Sequence, residues 1–448
     1  MTFNKVYFSK VLLLIIIISS YFLGFYLREN ASGGAEGDFL SHTWPALQGI
    51  KNDFYYSIKN YGIFYEGAWP MFHIINAFLN PFTQSQLSFQ FSITVISTLN
   101  FFIFANILKE KFSLDQINSY LLSSILLILP CFRASAFWGI TENFGWLFLL
   151  LAIKFYIKLN NLITIKSLDF KTLFFIFLTC FFSSLALYTR QYMIFFTLFI
   201  LLDILIIKQE IKLFFIFLFI FLLFSIPGLL LINLWGGLYD VANFPTDNFK
   251  PLDTHSPKNF FLNLPFLFNF YAFYLIPFLI IEIKHFGLKS IINKYFKVFF
   301  VTFVLMLFFN FFGFFDYMKN IQFGGGVFLK IDYFIFEKKL IFFLLMTSVG
   351  LSIIYEIIKQ NYKLNLTLFA TLLIFCFPKF IYHEYYEPLI IFTFFLLFKH
   401  NVNYLFSKNI NFSIFIIISY YFSYLLGAVY FRYYLFPNQE SWLMFIQS

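Results

Sequence analysis

"LFFIFLFIFLLFSIPGLLLINLW", residues 213–235, runs for 23 residues without a charged side chain. A helix needs about 20 apolar residues to cross the hydrocarbon core of a bilayer, so the run is long enough. In lipid no water bonds the backbone, and only helices or closed barrels pair every N–H and C=O internally. Barrel strands are short and alternate apolar with polar positions, which this run does not. The stretch "VLLLIIIISSYFLGFYL", residues 11–27, reads the same way.

Working outward, the whole chain repeats the pattern. It has 448 residues, 60% hydrophobic and 12% charged, against about 25% charged in soluble domains. That balance excludes a soluble globular protein and predicts an all-α, polytopic transmembrane helical bundle, a single integral membrane domain over residues 1–448. About thirteen spans are expected, near 11–27, 87–108, 117–133, 143–158, 171–188, 191–207, 213–235, 262–282, 296–315, 339–358, 364–378, 388–399 and 411–431. The division around Arg190 is the weakest of these boundaries. Residues 11–27 are longer than a signal-peptide core and read as an uncleaved first span.

Charge sets the expected topology. With the N-terminus cytoplasmic, alternate loops carry "KEK", "KQEIK", "KHFGLKSIINKYFK" and "KQNYK", as the positive-inside rule requires. The opposite loops include the longest polar segments, 28–86, 236–261 and 316–338. All four arginines (Arg28, Arg133, Arg190 and Arg432) fall on that outer side. An anchoring rule based on inner lysines does not predict this, so chemistry is expected on the outer face. The net charge of +9 is spread among short loops and implies no nucleic-acid partner. Cys131, Cys180 and Cys376 lie in or beside apolar runs and read as small buried hydrophobes.

The loop 28–86 opens with "GGAEGDFLSH", where Glu36, Asp38 and His42 cluster. If "DFLSHTW" is the first turn of a helix, Asp38 and His42 share a face and Glu36 precedes it. Asp38 then stands as an N-cap or first-turn acid. The rest of the loop, "FYYSIKNYGIFYEGAWPMFHIINAFL", is rich in Tyr and Trp and predicts interfacial helices. Lone His73 and His255 carry no assignment.

Arg190 stands between two apolar runs, where an arginine must face a cavity or a partner; its planar guanidinium suits a phosphate or a carboxylate. Arg133 and Glu142 flank "ASAFWGIT" and either pair with each other across that turn or line the cavity of Arg190. In "FIYHEYYEPLIIF" the zincin pattern fails because Glu387 stands where a second histidine is required. His383, Glu384 and Glu387 read instead as the outer mouth of a span, lining a substrate cavity. "FGGGVFLK", residues 323–330, is a flexible turn with amides able to face an anion.

A first span, a long outer loop opening with acids, many spans with short inner loops and a few outer arginines resemble the GT-C superfamily of membrane glycosyltransferases. Within it the chain looks most like the terminal alpha-1,2-glucosyltransferase family of lipid-linked oligosaccharide synthesis. That family's Asp-Glu-x-Phe-His pattern is matched by Asp38 and His42 of "DFLSH", with Phe39 and Ser41 departing from it. Its later Arg-Gln pair is matched by Arg190 and Gln191.

The resemblance implies a polyprenyl-phosphate-linked sugar donor, a glycan or lipid-linked acceptor, inversion at the anomeric carbon, and neither metal nor other cofactor. Asp38 is then the base, with Glu36 as its substitute. Arg190 and Gln191 hold the donor phosphate with Arg133 or His42, and Glu142, Glu384 and Glu387 line the substrate site. In a bacterium the protein lies in the inner (plasma) membrane with its active face periplasmic or extracellular. A lipid-linked oligosaccharide flippase or transporter, and an outer-face polysaccharide polymerase or ligase, are the competing readings.

Overall fold

The computed structural model describes residues 5–64, 68–163, 169–238, 240, 257–320, 325–378, 382–401, 405 and 410–435. His255 and most of the loop 236–261 therefore lie outside the described residues, as do the first residues of the 323–330 turn. Among the described residues the fold is all-helical, without a β-strand. Nine of its helices are long and apolar enough to cross a membrane, including Lys5–Tyr26, Gln86–Phe112, Ile211–Trp235 and Ile410–Leu435.

The remaining four expected spans take shorter forms. Gln191–Ile207 and Tyr362–Cys376 are apolar helices below spanning length. The 388–399 run begins in Glu387–Phe392 and ends in wider π-turns at Leu397. The 117–133 run is broken between Gln116–Ser123 and Pro130–Trp138. Pro130, which has no N–H and would clash with the preceding turn inside a helix, stands at the start of the second of these helices. At the first helical position the missing N–H costs nothing, so the chain turns and starts a new helix there.

The chain divides into two compact units, Met1–Lys111 with Leu126–Asp253, and Phe112–Ile125 with Thr254–Ser448. In the first, Lys5–Tyr26 buries only Ile17, Tyr21 and Gly24 and exposes apolar side chains on its other faces. Gly24 meets Pro130–Trp138: a Cβ there would lie 2.7 Å from Glu29 Oε2 and 2.8 Å from the Phe137 ring.

Ile211–Trp235 contains Pro227, which interrupts its hydrogen-bond ladder. The Tyr188 hydroxyl enters this gap, donating to Phe224 O and accepting from Gly228 N at 3.1 Å. A side chain thereby replaces one helical bond where the proline opens the helix.

The loop 28–86 folds back on these helices. Its segments Trp44–Asn52, Phe54–Lys59 and Met71–Leu79 are joined by a core of Ala46, Ile50, Ile58, Tyr61, Trp69, Tyr188 and Trp235. Trp235 stacks on Tyr61 and donates to Ile58 O, while Trp69 stacks on Tyr188 and donates to Leu238 O.

In the second unit Pro257–Phe286 is largely buried, whereas Leu288–Phe311 is largely exposed. Gly350 brings Ile341–Gln360 against it; a Cβ there would lie 2.7 Å from the Phe268 carbonyl carbon and 3.0 Å from Ala272 N. Close backbone approach through small residues is how helices pack when lipid removes the hydrophobic incentive. Asp332 caps the start of Ile341–Gln360, accepting from Leu340 N, Phe342 N and Phe343 N at 2.8–3.0 Å.

Candidate functional site

The site begins with the break around Arg190. Phe170–Thr189 ends there because Arg190 takes an extended backbone (φ −145°, ψ 115°), and a single turn, Gln191–Met193, leads into Ile194–Leu202. The arginine is thus outside the helix interior, held at its Cα by the bond from its N–H to Ala186 O. Tyr188, two residues earlier, is anchored in the Pro227 gap, so the segment carrying Arg190 is tied to a neighbouring helix.

Glu142 opens the helix Glu142–Ile163 and forms an ion pair with Arg190 through Oε1. The carboxylate is almost fully buried and the guanidinium partly open, at 3% and 18% exposure. Oε2 of Glu142 has no hydrogen-bond partner among the described residues. Gly145, one turn on, leaves room for the Arg190 stem: a Cβ there would lie 3.5 Å from its Cγ.

Asp38 lies at the end of the first helical turn, Ala35–Asp38, and not at its cap; that position belongs to Gly34. The reason is local, because the Asp38 N–H is already bonded to Gly34 O and its side chain makes no cap bond. Residues Phe39–Thr43 form a π-turn that continues into Trp44–Asn52. Such widened turns frequently stand at functional sites.

The Asp38 side chain is open to the surface. Even so, surrounding protein pushes its carboxyl above the usual carboxylate range, against the opposing pull of His42 and Arg190. Arg190 is therefore close enough to act electrostatically on Asp38. His42 is half-buried, and its Nδ1 donates to Phe64 O at 3.0 Å. Glu36 is exposed in the same first turn, and Gln191 is half-buried beside Arg190.

His73 completes this neighbourhood, although nothing in the sequence assigned it. It is fully buried in Met71–Leu79, and its Nδ1 lies 2.7 Å from the Tyr61 hydroxyl. Burial and then the Arg190 charge hold its ring far below the ordinary histidine range, at about 3. It is a neutral hydrogen-bonding group near a cation. The available signal was a pair of polar residues three apart, His73 and Asn76, in an otherwise apolar helix.

Arg133 and Glu142 do not pair with each other. The left-handed turn at Gly139 redirects the chain between them. Arg133, 2% exposed, makes a bidentate pair with Glu29 at 2.6 and 2.7 Å and also donates to Leu127 O and Ser20 O. Its planar group lies against Phe137 and Tyr21. Three of its five N–H groups are thus committed to Lys5–Tyr26 and the residues just after it, and a fourth to Leu127 O.

Glu384 and Glu387 belong to the second unit. Glu387, fully buried at the start of Glu387–Phe392, accepts at Oε2 from Tyr424 (2.9 Å) and Tyr274 (3.2 Å). Glu384 sits half-buried in the short turn before it. Among the described residues no three of His, Cys, Asp and Glu gather as a metal site.

No protein-family model matches the chain, and no curated protein or solved structure shows significant similarity to it.

Proposed function

We propose that the chain is a multi-pass membrane glycosyltransferase that moves a sugar from a polyprenyl-phosphate donor to a glycan or lipid-linked acceptor. The observation carrying this reading is Asp38, an accessible carboxyl raised in pKa by its surroundings and facing the fields of His42 and Arg190. A general base works best when its pKa approaches the operating pH, and the shift is in that direction.

In the reaction, an acceptor hydroxyl attacks the anomeric carbon as its proton passes to Asp38. The new glycosidic bond forms while the bond from that carbon to the phosphate oxygen breaks, inverting the centre. Polyprenyl phosphate leaves with the electron pair, and Arg190 stabilises the charge that develops on it. Glu142 aims the guanidinium, and Gln191 and His42 stand close by in sequence and site. Arg133 is not given a ligand role, because its donors hold Glu29 and two carbonyls.

The lysine-rich loops support a cytoplasmic N-terminus and an outward-facing loop 28–86. In a bacterium this places the site on the periplasmic or extracellular side of the plasma membrane.

The test is mass spectrometry of lipid-linked and surface glycans in the native host lacking the gene, complemented with wild type or Asp38→Asn. One sugar should be lost on deletion, regained with wild type, and still missing with Asp38→Asn at equal protein level. Full rescue by Asp38→Asn rejects Asp38 as the base. Unchanged glycans on deletion reject the transferase and favour transport.

A further inference from the structure

The second unit holds a cavity of about 40 Å³ between the last turns of Pro257–Phe286 and Ile341–Gln360. Phe278, Leu279 and Glu282 reach it from the first helix, and Ile353, Glu356 and Ile357 from the second. In each helix the three positions are three or four residues apart and so share one face. Lys294 and Tyr295 of Leu288–Phe311 close a third side. The floor is apolar, and the walls carry two carboxylates and one ammonium.

The two carboxylates differ. Glu282 is satisfied at both oxygens, with Lys294 Nζ donating to Oε1 at 2.6 Å and the Tyr295 hydroxyl to Oε2 at 2.8 Å. Glu356 makes no hydrogen bond among the described residues, although its side chain is only 10% exposed. Its ion-pair partner, Lys359, stands 3.6 Å away on the same helix, is 66% exposed and is not part of the cavity wall. So exposed and loose a pairing contributes little. The polar groups beside Glu356 are engaged elsewhere: Gln360 Oε1 accepts from Asn401 N at 2.7 Å, and His400 Nε2 donates to Phe394 O at 2.8 Å.

A carboxylate withdrawn from water is costly unless donors meet it. The cavity is where a donor reaches Glu356, and at roughly 10–15 Å³ for each water-sized group it has room for about three non-hydrogen atoms. The group that fits carries positive charge, because Lys294 offsets Glu282 and leaves the cavity one negative charge in excess. It also donates hydrogen bonds, which a trimethylammonium cannot. A bare metal ion needs several oxygens at once, and those of Glu282 and Gln360 already receive donors.

A primary ammonium on a two-carbon chain meets these requirements. Its N–H groups face Glu356, and its methylenes lie against Phe278, Leu279 and Ile353. We propose that this cavity binds a primary ammonium group at Glu356, borne by the ethanolamine headgroup of a lipid or by a free alkylamine.

The experiment uses the full chain in phosphatidylcholine nanodiscs, whose lipid carries no primary amine, with ethylammonium as the probe in saturation-transfer NMR. Ethylammonium should bind the wild type. Glu356→Gln should weaken it about tenfold, because a hydrogen bond to a charged group becomes one to a neutral amide. That variant removes no hydrogen bond of the fold, since Glu356 makes none. Leu279→Trp, which fills the cavity and keeps the carboxylate, should abolish binding. Tetramethylammonium and sodium should not compete.

Adding phosphatidylethanolamine to the nanodisc separates the two sources. Suppressed ethylammonium binding identifies the lipid headgroup as the occupant, and unchanged binding identifies a free amine; both keep the site. No ethylammonium binding in phosphatidylcholine, undiminished binding in Glu356→Gln or Leu279→Trp, or competition by tetramethylammonium or sodium each overturn it.

Discussion

Arg133→Gln should be among the most destabilising single substitutions in the first unit. The wild-type side chain makes two charge-assisted bonds to Glu29 at 2.6 and 2.7 Å and two more to Ser20 O and Leu127 O. At about 1.5–3 kcal/mol for each bond involving a charge, a simple sum would overshoot, because burying the guanidinium has already cost part of it.

The better guide is the penalty for stranding one member of a buried pair, about 3–5 kcal/mol. With exposures of 2% and 13%, solvent screens this pair little. The folding equilibrium should therefore fall by two to four orders of magnitude, at about 1.4 kcal/mol per tenfold. Glu29→Gln should lose a comparable amount for the same reason. Glu29→Leu combined with Arg133→Leu should lose less than the two single losses added, since no charge is left without its partner.

Unfolding by SDS in mixed micelles, followed by tryptophan fluorescence, reads these differences. Trp138 is a suitable reporter because its Nε1 donates to Glu29 O at 3.2 Å. Single losses below about 1 kcal/mol, or losses that add in the double variant, would refute the reasoning by showing a pair of surface character.

Other perturbations probe the site directly. Asp38 has a folded pKa above its ordinary 3.8, so its stabilising contribution is present below that value and lost as pH rises through the folded pKa. Asp38→Asn should thus melt higher than wild type at neutral pH, with the advantage shrinking toward pH 4, and a lower melting temperature at neutral pH would contradict the burial argument. Arg190→Gln should slow transfer by about 10²–10³, the usual loss of one oxyanion donor; glycan mass spectrometry with a time course measures it, and wild-type rates would remove Arg190 from the reaction. Tyr188→Phe should cost about 1–3 kcal/mol, because Phe224 O and Gly228 N lose the hydroxyl that joins them across Pro227. In the same SDS titration, a change near zero would mean that water closes the gap equally well.

The sequence by itself determined that this is an all-helical protein with long apolar helices, because that conclusion depends only on local run length and composition. It also marked the break at Arg190, where a charge interrupts an otherwise apolar run, but drew the 117–133 span straight through Pro130. Asp38, His42 and Arg190 stood out as candidates because charge in so apolar a chain is conspicuous.

What the tertiary structure decided was pairing. Spacing suggested Arg133 with Glu142, nine residues apart, yet Arg133 joins Glu29 and Glu142 joins Arg190. Tyr61 with His73, Tyr188 in the Pro227 gap, and Tyr274 between His383 and Glu387 were equally hidden. The strength of an ion pair or hydrogen bond falls steeply with distance and angle. Which groups meet therefore depends on how helices far apart in the chain rotate and pack, and no local pattern encodes that.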